Sequence, residues 1–240
     1  MELLKSLYNI NSISGSEAEI KAFIREYLSD VELTIEEDDF GNLFITKGVA
    51  EAYPGVTAHI DEVHYPTKRT IVVDEDLIYG VDGEGERVGI GADDKNGVWI
   101  ILNLLHQKPI LKAALFVQEE KFEGISGCRG SKACSLAWFD NVRYLLAADR
   151  KGDSEVVTMS KGDIKLCDDT LFPAEILTKY GYSCTTGGRT DVTALKERGL
   201  STPCCNISCG YYNAHKNDEY TQFSHLSKAY NFISELIDCM

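Results

Sequence analysis

Residues 113–120 read AALFVQEE, a short apolar run that ends in two glutamates. An apolar run of this length, bounded by polar residues, is typical of a strand buried on both faces of a sheet. The pattern returns in VRYLLAAD (142–149) and in YPGVTAHID (53–61), which ends at His59 and Asp61. Three buried strands that end in such side chains predict a sheet with a polar site along one edge.

Segments with helical spacing alternate with these strands. NGVWIILNLLHQ (96–107) and TDVTALKERG (190–199) are predicted helices, TIVVDEDLIYG (70–80) a hairpin, and PCCNISCG (203–210) a further strand. This alternation predicts an α/β fold, a three-layer sandwich around a central, mostly parallel (mixed) sheet. In such sheets ligands bind beyond the carboxyl ends of the strands.

Two further helices are predicted, one after Ser16 and one at the carboxyl-terminal end of the chain. Ser16 and Glu19 form a candidate capping box ahead of an amphipathic helix, and the apolar spacing from Phe223 to Leu236 predicts the last helix. No repeat or linker divides the sequence. The 240 residues are therefore expected to form a single domain, 1–240.

Composition and charge exclude several classes of protein. The 24 basic and 38 acidic residues give a net charge of -14, which disfavours nucleic acid as a partner. No apolar stretch is long enough to span a membrane, and residues 1–15 lack the features of a secretory signal. Eight scattered cysteines are most simply free thiols. We therefore expect a cytoplasmic protein without a cysteine metal cluster, although Cys204, Cys205 and Cys209 lie close in sequence.

Five side chains have the chemistry of metal ligands: His59, Asp93, Glu120, Asp149 and His215. Imidazoles and carboxylates suit two zinc-like ions, which in two-metal sites share a bridging carboxylate. We interpret His59 and Asp149 as ligands of one ion and Glu120 and His215 as ligands of the other, with Asp93 between them.

Glu119 directly precedes a candidate ligand but is not needed as one. Neighbouring residues just past a strand point in different directions, so Glu119 could face the water between the ions and act as general base. Asp61 could orient the imidazole of His59.

Each motif also has a structural explanation when it is taken alone. A histidine at a strand end is more often a satisfied polar residue than a ligand, and paired glutamates usually lie in solvent. Asp93 and Asp94 could cap a helix, and Asp149 could be a turn residue paired with Arg150. Single motifs therefore leave the metal site open.

Five motifs in one order resemble the co-catalytic di-zinc exopeptidases, a superfamily that includes zinc aminopeptidases, peptidase T, carboxypeptidase G and deblocking glutamyl aminopeptidases. The matching segments, which follow GNLFITKG (41–48), are AHIDEVH (58–64), GIGADDKNGV (89–98), FVQEEKFEGISGCRGS (116–131), LLAADRKG (145–152) and GYYNAHKNDEY (210–220). The resemblance implies a mixed sheet flanked by helices, the five ligands above, Glu119 as general base and Asp61 as the residue that supports His59. Asp94 matches no ligand, and we interpret it as helix-capping or as support for the ligands.

Two departures from the family concern its additional domains. Between Asp61 and Asp93 there is room for a hairpin but not for the small domain that some members carry there. Between Asp149 and Asp191 there is no room for the lid or dimerisation domain of others. We therefore expect a bare catalytic domain.

The resemblance predicts a hydrolase with two divalent ions per chain, zinc first, with cobalt or manganese as alternatives. Within the lid-bearing branch of the superfamily, aminopeptidases and di- or tripeptidases tend to have aspartate as fourth ligand, so the resemblance at Asp149 favours such an enzyme, acting on short peptides or amino-acid amides. The alternatives are an amidohydrolase of N-acyl amino acids and a non-catalytic binding protein. The roles of Asp191, Tyr211, Tyr212 and Asn213 stay open, and His64, His106 and His225 are interpreted as structural.

Overall fold

The computed structural model describes residues 1–63, 68–121 and 124–240. His64, interpreted above as structural, lies outside the described residues. The α-helices are α1 (Glu2–Asn9), α2 (Ala18–Tyr27), α3 (Ala92–Gln107), α4 (Arg129–Ala133), α5 (Ala174–Tyr180), α6 (Asp191–Glu197) and α7 (Phe223–Cys239).

The strands belong to two sheets. In chain order they are β1 (Thr34–Glu37), β2 (Leu43–Lys47), β3 (Tyr53–His59), β4 (Thr70–Asp74), β5 (Leu77–Val81), β6 (Arg87–Val88), β7 (Leu111–Phe116), β8 (Val142–Arg150), β9 (Glu155–Ser160), β10 (Ile164–Lys165), β11 (Ser183–Gly187), β12 (Cys204–Ser208), β13 (Tyr211–Tyr212) and β14 (Tyr220–Gln222).

The larger sheet is mixed. Its order is β1-β2-β7-β3-β8-β12-β9-β10, with β11 beside β9. The four central strands β7, β3, β8 and β12 run parallel, whereas β1, β2, β9 and β10 join through antiparallel pairings. The predicted α/β fold with a mixed sheet is confirmed, and its parallel part is this central group of strands.

Alternate residues of the central strands pack into different cores, as the two-residue period of a strand requires. In β7, Ala113 and Leu115 face a core that includes residues of α1, α2, α3 and α7. Ala114 and Phe116 face a second core, which includes Phe139 and residues of α6. Helices therefore cover both faces of the sheet, which gives the three predicted layers.

The hairpin predicted at 70–80 is present as β4 and β5. It belongs to a second sheet, because β14 pairs with β5 and β13 pairs with β14. This small sheet contributes to the site, since the loop between β13 and β14 carries His215.

The capping box predicted at Ser16 and Glu19 is wrong. Helix α2 begins at Ala18, and its N-cap, Glu17, makes no side-chain capping bond. Glu17 Oε1 instead accepts the backbone N–H groups of Gly15 and Gln118, at 2.8 and 3.2 Å. The acidic side chain is therefore used to hold the segment after β7.

Candidate metal centre

The parallel central strands bring the candidate ligands to one edge of the sheet. His59 is the last residue of β3, Asp149 is the next to last residue of β8, and Glu119 and Glu120 follow β7. Asp93 lies in the first turn of α3, where its φ and ψ angles are not helical. We call His59, Asp93, Glu119, Glu120, Asp149 and His215 the carboxylate–histidine cluster.

The first part of the cluster centres on the imidazole of His59. Its Nε2 lies 3.1 Å from Asp93 Oδ1 and 3.7 Å from Asp149 Oδ1. These three residues each offer one ligand atom, and the atoms lie within 4.8 Å of one another. The trio has the composition of one half of a two-metal site.

The second part of the cluster shares Asp93. His215 Nε2 lies 3.4 Å from Asp93 Oδ2 and 2.6 Å from Glu120 Oε1, and these three residues form another compact group of ligand atoms. The two oxygens of Asp93 therefore face different histidines. A carboxylate in this position suits a bridge between two ions about 3.5–4 Å apart.

Asp61 holds several parts of the site at once. Its carboxylate is fully buried and accepts the backbone N–H groups of Glu119 and Glu120, at 2.9 and 3.0 Å. Its Oδ1 also lies 3.3 Å from His59 Nδ1. One side chain thus fixes the ends of β3 and β7 relative to each other.

Asp94 and Asn206 position further parts of the cluster. Asp94 Oδ2 accepts the backbone N–H of His59 at 3.2 Å, and its Oδ1 accepts that of Gly97 at 3.0 Å. Asp94 therefore contacts the first turns of α3 and the backbone of a candidate ligand, whereas the N-cap of α3 is Gly91. Asn206 accepts the backbone N–H of Asp149 at 3.0 Å and donates to its carbonyl oxygen at 2.8 Å, a role that the sequence did not reveal.

Glu119 is the carboxylate of the cluster that has a thiol neighbour. Cys128 Sγ donates a hydrogen bond to Glu119 Oε1 at 3.1 Å. The loop between them returns tightly, because a Cβ at Gly127 would lie 2.1 Å from the carbonyl oxygen of Glu119. Only glycine fits there without a shift of the backbone, so Gly127 allows the loop to bring Cys128 close to Glu119.

The cluster carries more negative charge than its two imidazoles balance. Burial, with the charges of Asp191 and Glu120, raises the pKa of Glu119 to about 8. Hydrogen bonds to Asp93 and Glu120 raise the pKa of His215 to about 10. Neighbouring carboxylates contribute to both shifts, and a bound divalent cation would balance part of their charge.

The alternative interpretation of Asp149 as a turn residue paired with Arg150 is wrong. Asp149 lies inside β8, and Arg150 pairs with Glu155 at 2.7 Å. Asp191 does not cap α6, whose capping box is formed by Thr190 and Thr193. Ser131 Oγ donates to Asp191 Oδ1 at 2.5 Å, and burial raises the pKa of Asp191 to about 7.

The aromatic segment before His215 divides between the cavity and the surface. Tyr211 is buried and lines the cavity of the site. Tyr212 stacks on Tyr220, and its hydroxyl lies 2.6 Å from His225 Nδ1. Asn213 donates to Asp218 at 2.9 Å.

The two described histidines outside the cluster, His106 and His225, have aromatic neighbours. The ring of His106 packs edge-on against Tyr27. All eight cysteines are free, and in the described part of the chain the compact groups of metal-type ligand atoms contain no cysteine. In the same residues, no helix is long and apolar enough to cross a membrane.

The cluster opens into a cavity of about 670 Å³. This volume lies in the usual range for small-molecule sites, about 300–1,000 Å³. Asp93, Glu119, Glu120, Asp149 and His215 contribute to its wall. The candidate ligands are therefore accessible to a ligand of small-peptide size.

No protein-family model matches the sequence, and no curated protein matches it. Solved structures do match. An aminopeptidase PepT from Bacillus cereus gives a TM-score of 0.78 at 16% identity, covering 99% of this chain and 96% of that one. A tripeptidase from Staphylococcus aureus gives a TM-score of 0.78 at 17% identity, covering 98% of this chain and 96% of that one. A TET aminopeptidase from a marine sediment thaumarchaeote gives a TM-score of 0.74 at 14% identity, covering 100% of this chain and 96% of that one. The chain thus shares the fold of these peptidases, as the sequence resemblance implied.

Proposed function

We propose that this chain is a metal-dependent exopeptidase, an aminopeptidase or di- or tripeptidase that acts on short peptides. The observation that carries this proposal is the pair of His–carboxylate groups that share Asp93, with the extra carboxylate of Glu119 beside them. The aminopeptidases and the tripeptidase of the same fold support it.

The donor set fits two divalent ions. Two imidazoles and three carboxylates are ligands that zinc prefers, and cobalt or manganese would also bind them. His59, Asp93 and Asp149 would hold one ion, and Asp93, Glu120 and His215 the other. When bound, the ions would polarise the scissile carbonyl and lower the pKa of a water molecule.

The protein's own residues would move the proton and hold the geometry. Glu119 would take the proton of the attacking water at a carboxylate oxygen and pass it to the departing amine. Asp61 would fix the backbone of Glu119 and the ring of His59. Cys128 would hold Glu119 Oε1 through its thiol.

The domain and its compartment belong to the same proposal. We propose that the 240 residues act as one catalytic domain without a lid or inserted dimerisation domain. Eight free cysteines suit a reducing compartment, which supports a cytoplasmic location.

The test is hydrolysis by the zinc- or cobalt-loaded protein. Short peptides with a free amino terminus should lose their terminal residue, whereas N-acetylated peptides should not. Cleavage of only the acetylated compounds would identify an amidohydrolase instead. Glu119→Gln should lower kcat by at least about 100-fold, the lower range for general acid–base catalysis, while metal analysis still finds two ions per chain. Full activity of this variant would disprove the assigned base.

A further inference from the structure

The cavity has two chemically different walls. Outside the carboxylate–histidine cluster, every charged side chain among the described lining residues is a cation: Lys121, Lys132, Arg150, Lys151, Lys161 and Arg189. We call these six residues the cationic wall. The chain as a whole has a net charge of -14, so this surface has the opposite sign from the rest of the protein.

The cationic wall is made by the fold and not by a basic stretch of sequence. Lys132 lies in α4, Lys151 follows β8, Lys161 lies between β9 and β10, and Arg189 precedes α6. The backbone N–H of Lys161 donates to the carbonyl oxygen of Gly187 at 2.9 Å, which joins the β9–β10 turn to the segment before α6. Residues far apart in sequence therefore converge on one cavity.

Internal ion pairs account for only part of this charge. Arg150 is paired with Glu155, and Arg189 is paired with Glu197. Lys132 donates to the carbonyl oxygen of Gly127 at 2.7 Å, and its charge also acts on the buried Asp191.

Among the described residues, three further lysines of the cationic wall have no ion-pair partner. Within residues 1–63, 68–121 and 124–240, no carboxylate lies within ion-pair distance of Lys121, Lys151 or Lys161. All three side chains are exposed to solvent, and all three line the cavity. Positive charge is therefore left available to a ligand.

We infer that the cationic wall is a carboxylate subsite that selects peptides with a carboxylate near the scissile bond. This inference rests on the proposed peptidase function, because it names the substrate class of the same cavity. Positive charges that line a cavity attract anionic ligands and raise their local concentration. An extended peptide spans only about 3.3–3.6 Å per residue, so the carboxylate of a di- or tripeptide stays within the cavity. The carboxylate is either the free terminus of the peptide or an acidic side chain.

Three tripeptides separate the two sources of the carboxylate: Ala-Ala-Ala, its carboxyl-terminal amide, and the amide of Ala-Glu-Ala. The assay uses the metal-loaded protein at low salt. We expect kcat/KM for a carboxylate-bearing peptide to be about 10-fold higher than kcat/KM for the neutral amide. A preference for the free acid identifies the terminus, and one for the glutamyl amide identifies the side chain. The preference should shrink at high salt, where the screening length falls to about 3 Å.

Lysine variants test whether the cationic wall causes the preference. Lys151→Met and Lys161→Met should each lower the ratio of acid to amide kcat/KM about 3-fold, and the double variant should bring it close to 1. Lys161→Arg, which keeps the charge, should retain the ratio. Lys179→Met is the matched control, because Lys179 lies on α5 and pairs with Glu235 outside the cavity.

The outcomes separate this inference from the proposed function. Equal hydrolysis of all three peptides, or a preference that survives in the double variant, would overturn the carboxylate subsite alone. Failure to hydrolyse any peptide would overturn the peptidase function, and the subsite with it. Thermal unfolding of each variant checks that it is folded.

Discussion

Asp61→Asn is the substitution that best tests how the site is held together. Asp61 uses both carboxylate oxygens: Oδ1 accepts the N–H of Glu119 at 2.9 Å and Oδ2 accepts that of Glu120 at 3.0 Å. Asparagine keeps one of these oxygens and replaces the other with an NH₂ group. One backbone N–H would then face another donor in a fully buried position.

The magnitude follows from these contacts. Hydrogen bonds to charged groups contribute about 1.5–3 kcal/mol each, and an unsatisfied buried donor costs about 1–3 kcal/mol. We expect the free energy of unfolding to fall by about 3 kcal/mol. Loss of a group that orients metal ligands typically lowers metal affinity or activity about 10–100-fold, and we expect an effect of that size on both.

The measurements are chemical denaturation, competition for zinc with a chelating dye, and kcat/KM on Ala-Ala-Ala. Asp82→Asn is the matched control, because Asp82 also accepts two backbone N–H groups, from Glu84 and Glu86, both at 2.9 Å. These bonds share one oxygen, Oδ1, which asparagine can supply. Metal affinity and activity of Asp61→Asn within twofold of the Asp82→Asn values would refute the reasoning.

Three further predictions concern the thiol, the metal and acid stability. Cys128→Ala removes the hydrogen bond to Glu119, which contributes about 1 kcal/mol, and should lower kcat about fivefold without changing KM. The control Cys239→Ala, at an exposed cysteine, should change neither kcat nor KM. Removing the metal with a chelator should lower Tm, because a ligand at about 100 times its Kd stabilises the native state by about 2.7 kcal/mol, and added zinc should restore it. Burial opposes the charge of Glu62, but Lys95 and Arg69 outweigh it and lower its pKa to about 2. Since this pKa lies below the unfolded value, Glu62 stabilises the fold fully above about pH 4.5 and loses that effect as pH falls through 2. Denaturation at a series of pH values should show that the free energy of unfolding falls by about 3 kcal/mol over this range, a change that should be absent in Glu62→Gln.

The sequence predicted the elements whose pattern is local. Apolar runs that end in polar residues predicted β3, β7 and β8, and the parallel arrangement of those strands places His59, Glu120 and Asp149 at one edge. Such patterns are readable because each residue of a doubly buried strand meets a core. The helix α1 was missed although Leu4, Leu7 and Tyr8 follow helical spacing, and the strands β9 to β11 were missed because their pairing depends on distant segments.

Contacts between distant segments could not be predicted from the residues alone. Nothing in the sequence shows that Asn206 brackets the backbone of Asp149, or that Cys128 reaches Glu119, because both contacts depend on how neighbouring strands and loops are placed. The association of Asp93 with both histidines followed only from chemistry and resemblance. The distances now give that expectation a geometric basis.

The cationic wall shows why net charge alone is a weak guide to a ligand. The chain's acidic balance disfavours nucleic acid, yet the cavity of the candidate site gathers six of its 24 lysine and arginine residues. Salt screens the repulsion between the negative exterior and an anion at distances beyond the screening length, which is about 8 Å at physiological salt. Inside the cavity the nearest charges decide, and outside the carboxylate–histidine cluster the described ones are positive. A small anionic peptide is therefore compatible with a strongly acidic protein.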